Sequence, residues 1–533
     1  MIVLGLSEGN GAGAAVVRDG QLVAVVPQEQ VDRVPGSRAF PSAAIDAALD
    51  AAGVRAREVH RVAVAGTLDL PDSGLRAELR ARAYGVHALL RGSGLWRLRD
   101  DARRLRWSDA VRELGFERAS VETVEHDRAH ASAAYRTQGR PNALVVTLDA
   151  SGDGAGVTVS AARHLQVDRL YLQTSLASIA EVPTYVAEVL GRTPAQLAAV
   201  AGRGAPSAAL AGAFASLVHA ENEGFNRWVG GRESLARTLR AERPEDVAAA
   251  VEDAVAVAVS TFLARWIART GLRDVVLGGS LAEDSRLVGA LASTPGITTL
   301  WTGPLAGDSG LAAGAALHVA GTACTPLATA ALGPAWSDTD LYRQLSVAGL
   351  PREAVDQPDA VLATLLLEGR VVARVTDTAE IGPRAHGARA VLFRADDPKV
   401  VQRARLVTGR DPALPVGFAL RAARVDEVLA LPNVLRATAR FGGAALPLHA
   451  AARARWPELA HLDGTCLPVV VHPGDVLDAT LEAWERASGE PLLGLSTFHL
   501  PGQPIVHSPN DAARAWRDGR ADALFLGRYL VRR

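Results

Sequence analysis

Lysine is almost missing from this chain of 533 residues: Lys399 is the one position that carries it. Any chemistry that needs a lysine amine therefore has a single candidate. Cysteine is nearly as scarce. Cys324 and Cys466 form neither a metal-ligand spacing nor a disulfide framework, which fits a reducing cytoplasm. Charge of one sign is also lacking. The net charge is -1, and nothing points to nucleic acid or to an anionic membrane surface. The opening "MIVLGLSEGNG" has no basic n-region and no long apolar core, so it does not read as a signal peptide. No uninterrupted apolar run reaches the roughly 20 residues that span a bilayer. The expectation is a cytoplasmic protein without a membrane segment.

What is present is apolar content for several cores, at 48% hydrophobic residues. The length suggests several domain-sized units. Two stretches share one plan. "MIVLGLSEGNGAGAAVVRDGQLVAVVPQE" reads as strand, Gly-rich turn, strand, Asp-Gly hairpin, strand, and "NALVVTLDASGDGAGVTVSAARHLQVDRLYLQ" repeats it. Helical patterns follow each copy. Such turns can hold phosphate oxygens on backbone N–H groups, or can simply close hairpins. A duplicated lobe of this kind predicts an α/β fold of the actin, sugar-kinase and Hsp70 type.

Two further Gly-rich points follow. Strand Val275–Leu277 ends at Gly278-Gly279 in "DVVLGGSLAEDSRLVGAL", and Asp308 sits in the turn of "PLAGDSGLAAGAALHVAG" after Gly307. Small residues and prolines interrupt the pattern near 320–337, where a domain boundary is expected. The remainder is again α/β on another plan. "VEHDRAHASAAY" holds His126 and His130, four apart and so on one face of a helix. Taken alone, that pair is either a solvated or packed face or half of a metal site.

Nine pieces in order resemble the NodU/CmcH/TobZ carbamoyltransferases: "HDRAH", "LVVTLDASGDG", "VVLGGSLAEDS", "GDSGLAAGAAL", "LGPAWSD", "EIGPRAHGARAVL", "HLDGT", "TFHLPGQPIVHSP" and "DALFLGRYLV". The resemblance runs nearly end to end. It implies a duplicated actin/Hsp70-like (ASKHA) metal- and nucleotide-binding domain over 1–325 and a YrdC-like α/β domain over 338–533. It implies that the second domain makes carbamoyl adenylate from carbamoyl phosphate and ATP, and that the first passes the carbamoyl group to a natural-product hydroxyl. Antibiotic or other secondary metabolism is the expected setting. The expected partners are a small-molecule acceptor and a carbamoyl donor, with a homodimer or a partner enzyme left open.

The resemblance also assigns residues. The metal ligands would be His126, His130, Asp149 and Asp308, a donor set suited to Fe²⁺, with Zn²⁺ as the alternative. Gly278, Gly279, Glu283 and Gly307 would hold the nucleotide, ATP or an adenylate. Arg384, His386, Arg389, Arg410, Thr497 and His499 would form the YrdC-like site, although Arg384 and Arg389 could instead pair with carboxylates.

Departures from the family cluster. Asn10 stands where the family has its proposed base, and an asparagine cannot take a proton at neutral pH. Thr408, Leu414, Leu467 and Pro501 stand where basic groups are expected. Carbamoyl phosphate and a triphosphate are densely anionic, and forked cationic donors bind them. Three readings follow: an O-carbamoyltransferase, an enzyme on that scaffold with another donor or acceptor, and a non-catalytic subunit of an active carbamoyltransferase. Four occupied ligand positions favour the first two.

Overall fold

The computed structural model describes residues 1–67, 86, 89–90, 93, 96–226, 232–321, 323–376, 378–410 and 415–533. Leu414 lies outside the described residues.

The N-terminal part holds two separate five-stranded sheets. The first contains β1 (Ile2–Ser7), β2 (Gly13–Arg18), β3 (Gln21–Pro27), β4 (Arg61–Ala65) and β5 (Ser120–Val124), in the order β3-β2-β1-β4-β5. The second contains β6 (Asn142–Leu148), β7 (Ala155–Arg163), β8 (Gln166–Thr174), β9 (Asp274–Gly278) and β10 (Thr299–Trp301), in the order β10-β9-β6-β7-β8. Their connectivity is identical. β1 pairs antiparallel with β2 and parallel with β4, and β6 does the same with β7 and β9. These are the duplicated actin/Hsp70-like lobes expected from the repeated plan. Their central strands are apolar along most of their length because both faces are covered.

Two helices, His126–Arg136 and Leu311–Ala320, pack together between the sheets. Small residues make this possible. A β-carbon on Gly314 would fall 2.0 Å from the Ala129 carbonyl oxygen, and one on Gly5 would fall 1.9 Å from that of Ala312. The alanines of "HDRAHASAAY" and the Ala-Gly run of "GDSGLAAGAAL" are the close-contact surfaces of this pair.

A helix of 27 residues spans Pro244–Thr270. By length and composition it could cross a bilayer. In this fold its apolar side, including Val247, Val251, Val255, Phe262 and Trp266, is buried against the second lobe.

The C-terminal part is a mixed eight-stranded sheet, so both parts are α/β. Its strands are β11 (Glu353–Ala354), β12 (Val372–Val375), β13 (Arg389–Phe393), β14 (Gly417–Arg421), β17 (Pro468–Val471), β18 (Leu492–Thr497), β19 (Ala523–Leu526) and β20 (Tyr529–Arg532). Their order is β11-β20-β19-β12-β13-β18-β14-β17. A short ribbon, β15 (Leu446–Pro447) with β16 (Thr465–Cys466), stands apart. The parts are stitched by direct hydrogen bonds. Thr438 Oγ1 donates to the Leu300 carbonyl at 2.8 Å, and Ala445 N–H donates to the Ser285 carbonyl at 2.7 Å. Arg286 reaches across to Asp463 at 2.6 Å.

Candidate metal centre and interdomain cavity

The His126–Arg136 helix begins directly after β5, and its first turn faces the end of β6. Asp153, completely buried in a left-handed turn, accepts the backbone N–H of His126 and that of Thr67, each at 2.8 Å. This carboxylate occupies the helix N-terminus, where negative charge is favoured. It fixes the start of the helix and hence the direction of both imidazoles. Sequence reasoning passed over Asp153, although it is the second aspartate of "DASGDG".

Four side chains from three places in the chain meet there. Nε2 of His126 lies 3.0 Å from Nε2 of His130, 3.2 Å from Asp149 Oδ2 and 3.6 Å from Asp308 Oδ1. Nε2 of His130 lies 3.3 Å from the same Asp308 oxygen. All four donor atoms lie within 4.8 Å of one another. Two ligands about 2.1 Å from one ion stand roughly 3.0 Å apart at a right angle and roughly 3.4 Å apart at the tetrahedral angle. The short separations match those values. Asp308 Oδ1 is buried without a hydrogen-bond partner, although two imidazole nitrogens face it. Two imidazole nitrogens and two carboxylates drawn this close together form a donor set that fits a shared cation.

Backbone donors hold the carboxylate of Asp149. Ser280 N–H reaches Oδ1 at 3.1 Å, and Gly152 N–H reaches Oδ2 at 3.2 Å. Burial alone would discharge this cluster, but the opposite charges prevail. His126 is held well above the usual imidazole value despite its burial, by the Asp149 and Asp308 carboxylates. Asp149 and Asp308 are in turn held below the usual carboxylate range, against burial, by the imidazoles that face them. A divalent cation would replace that proton.

The residues expected around the nucleotide surround this cluster. Gly278 backs onto the His130 carbonyl. Gly279, at φ +92°, presses on Leu148, where a side chain would collide with backbone. Gly307 abuts the Glu283 carboxylate, which burial, and then the charge of Asp308, push up to about 7. Asn10 is exposed and accepts a hydrogen bond from Arg38. Its neighbour Gly11, at φ +66°, lies against the Asp308 backbone, so the turn that lacks the base adjoins the cluster.

A cavity of about 490 Å³ opens between the two parts. Glu252, Ser280, Glu283, Asp284 and Arg286 line one side, and Arg384, Arg410, His461 and Leu467 line the other. Arg384, Arg410 and Leu467 also line a small adjoining pocket with Thr497. Three of the six residues expected in the C-terminal site therefore converge. The other three do not. Arg389 opens β13 with its side chain buried in the core, donating to the carbonyls of Thr376 at 2.7 Å, Ala388 at 3.1 Å and Pro334 at 3.3 Å. It ties the segment after β12 and the linker at Pro334 to the start of β13. His386 lines a separate small pocket with Glu380, Arg440 and Asp475. His499 sits against the Leu500 carbonyl at 2.9 Å and lines neither of the pockets that hold Arg384. Conversely, His461 lines the cavity and was overlooked, although "HLDGT" was noted. Burial lowers it to about 4, which keeps it neutral.

The positions expected to be basic are inert in this respect. Thr408 is buried and hydrogen-bonds the Ala404 carbonyl within its own helix at 3.1 Å. Pro501 packs on Gly409. Leu467 is part of the cavity wall.

The nodulation protein NolNO of Sinorhizobium fredii is 25% identical over 557 residues, covering 98% of this chain and 79% of that protein. A nodulation protein U of Bradyrhizobium diazoefficiens is 26% identical over 310 residues, covering 54% of this chain and 50% of that protein. Component A of the (R)-2-hydroxyglutaryl-CoA dehydratase of Acidaminococcus fermentans superposes at TM-score 0.35 and 16% identity, over 60% of this chain and 97% of that one. Residues 3–317 match the family described as Carbamoyltransferase N-terminus, and residues 363–533 match Carbamoyltransferase C-terminus. With both halves of the pattern present in order, this chain belongs to the carbamoyltransferase family.

Proposed function

We propose that the chain passes a carbamoyl group, carried as its adenylate, to the hydroxyl of a small molecule in secondary metabolism such as antibiotic biosynthesis. The observation that carries this reading is the convergence of His126, His130, Asp149 and Asp308 beside the Gly278-Gly279 turn. Those four would hold a divalent ion, Fe²⁺ by donor set and family resemblance, with Zn²⁺ as the alternative. Such an ion supplies Lewis-acid polarisation and a template for phosphate oxygens. The protein's own groups do the rest. Asp153 fixes the helix that presents the imidazoles. Gly279 and Gly307 let backbone approach the site closely. Asn10 cannot take the acceptor's proton, so that proton leaves to the substrate itself or to water. No nucleic acid and no membrane enters this reading. The protein works in the cytoplasm, as a homodimer or beside a partner enzyme.

A second reading, another donor on the same scaffold, has one observation in its favour. Arg389 is spent on backbone carbonyls. That leaves the donor side of the cavity with Arg384 and Arg410 as its cations. The C-terminal half is then a poor maker of adenylate.

Calorimetry with AMP, with and without Fe²⁺, tests the main reading. Nucleotide binding should require the metal and vanish in His130→Ala. On the second reading, phosphate release from ATP plus carbamoyl phosphate stays near background. Metal-independent nucleotide binding would contradict the reading, and robust turnover by the lone protein would restore an ordinary donor domain.

A further inference from the structure

One arginine of the first lobe docks on the C-terminal part without lining the interdomain cavity. Arg33 follows the short helix Gln28–Asp32, and its guanidinium crosses to the loop after β18. Nη2 donates to the Pro504 carbonyl at 2.8 Å, and Nη1 donates to the Ile505 carbonyl. Nε stands 3.9 Å from the Asp511 carboxylate. Two arms of one planar group on two neighbouring carbonyls make a fork that lysine cannot reproduce. The Arg33 backbone is left-handed, at φ +62°. A residue other than glycine keeps that conformation only where its surroundings enforce it.

On the lobe side, Asp32 closes residues 28–37 into one bracket. Its carboxylate accepts the Val34 N–H at 2.9 Å, the Gln28 side-chain amide at 3.2 Å and the Ser37 hydroxyl. Both ends of the bracket grip the turn that holds Asn10. Gln28 N–H donates to the Ala12 carbonyl at 2.8 Å, and Arg38 donates to Asn10 Oδ1. Within that turn Gly11 lies against the Asp308 backbone. On the other side, the loop that takes Arg33 starts at Thr497, which lines the small pocket with Arg384 and Arg410. Its Pro501 packs on Gly409, the neighbour of Arg410. Val506 N–H closes it onto the Phe498 carbonyl at 3.0 Å. Contacts therefore run from the pocket of the C-terminal part, through Arg33, to the turn beside the metal cluster.

We propose that Arg33 is a positioning residue. It sets the turn Gly9–Ala12, and through Gly11 the Asp308 ligand, in register with the loop 497–507. The acceptor side of the site is then in place only while that loop is docked on the first lobe. Arg33 touches neither the turn nor the cluster and acts through Asp32, Ser37 and Arg38. The proposal rests on the function proposed above in taking the Asn10 turn as the acceptor side and Asp308 as a metal ligand.

The test is amide hydrogen exchange of the full-length, metal-free protein, followed in the segments 5–14 and 498–507. Arg33→Met should speed exchange at least about tenfold in both segments, as local opening becomes easier. Arg38→Met should speed it in 5–14 alone. Arg33→Lys keeps the charge but not the fork, and should exchange as fast as Arg33→Met. The strands β19 and β20 serve as the control and should exchange as in the parent. With Co²⁺ as the probe, Arg33→Met should weaken metal binding roughly tenfold, the low end for a lost outer support, and change the visible absorption. Unchanged exchange in 5–14 in an Arg33→Met protein that melts cooperatively overturns the proposal. So does parent-like exchange in Arg33→Lys, which alone decides the matter if Arg33→Met does not melt cooperatively. Identical Co²⁺ absorption in the parent and Arg33→Met also overturns it. A parent protein that takes up no Co²⁺ overturns the metal reading instead, and the exchange results, obtained without metal, still decide whether Arg33 positions the turn.

Discussion

Gly152 lies directly beneath the His126 imidazole: a β-carbon there would fall 2.0 Å from ring Cδ2. The glycine also donates its N–H to Asp149. One backbone position thus aligns two of the four proposed metal ligands. Gly152→Ala should leave the protein folded, because the ring can rotate, but it should misdirect Nε2. Metal affinity should fall about 10- to 100-fold, the range for loss of an outer supporting contact. A metal titration of the purified variant measures this.

Arg389 offers a sharp contrast with Arg384, five residues before it in the same motif. Its three carbonyl contacts lie in the core. Arg389→Met should destabilise the fold by about 3–5 kcal/mol, since it leaves buried carbonyls without donors. Arg384→Met should instead spare stability and impair ligand binding. Denaturant melts of the two variants separate these roles.

The spacing of His126 and His130 was legible because a helix puts residues four apart on one face, whatever surrounds it. The duplicated lobes were legible because both copies carry the same hairpin grammar, and Gly314 and Gly5 show why the small residues between them are needed. The aspartates were readable only through family resemblance, since nothing local links Asp149 to Asp308. The C-terminal site was only half readable. Arg384, His386 and Arg389 lie in one motif, yet the turn before β13 sends them to three different places. His461 was missed because its role depends on a contact between distant parts of the chain.

The crossing of the two central helices makes a further prediction. Gly314→Ala would place its methyl carbon 2.0 Å from the Ala129 carbonyl oxygen and 3.1 Å from Ala133 Cβ. Overpacking of this kind costs about 1–3 kcal/mol. Because the His126–Arg136 helix would be pushed, the thermal midpoint and metal affinity should fall together.

His386 predicts a pH dependence. Burial, reinforced by Arg384 and Arg440 and opposed by Asp475, lowers it to about 4. Its folded value lies below the unfolded value, so its contribution is present above pH ~6.5 and is lost as pH falls towards 4. The span corresponds to about 3 kcal/mol. Urea melts between pH 7 and 4 should show a decline that His386→Phe partly flattens. An unchanged slope in that variant would assign the acid sensitivity to other groups, such as His461.

The central claim is that His126, His130, Asp149 and Asp308 together hold one divalent ion. The direct measurement is elemental analysis of protein purified without oxygen and supplied with Fe²⁺, compared with His130→Ala and Asp308→Asn. About one ion per chain in the parent protein, and next to none in either variant at unchanged cooperativity of unfolding, is the result expected from the donor set. Equal metal content in parent and variants, or no bound metal in the parent, would contradict it.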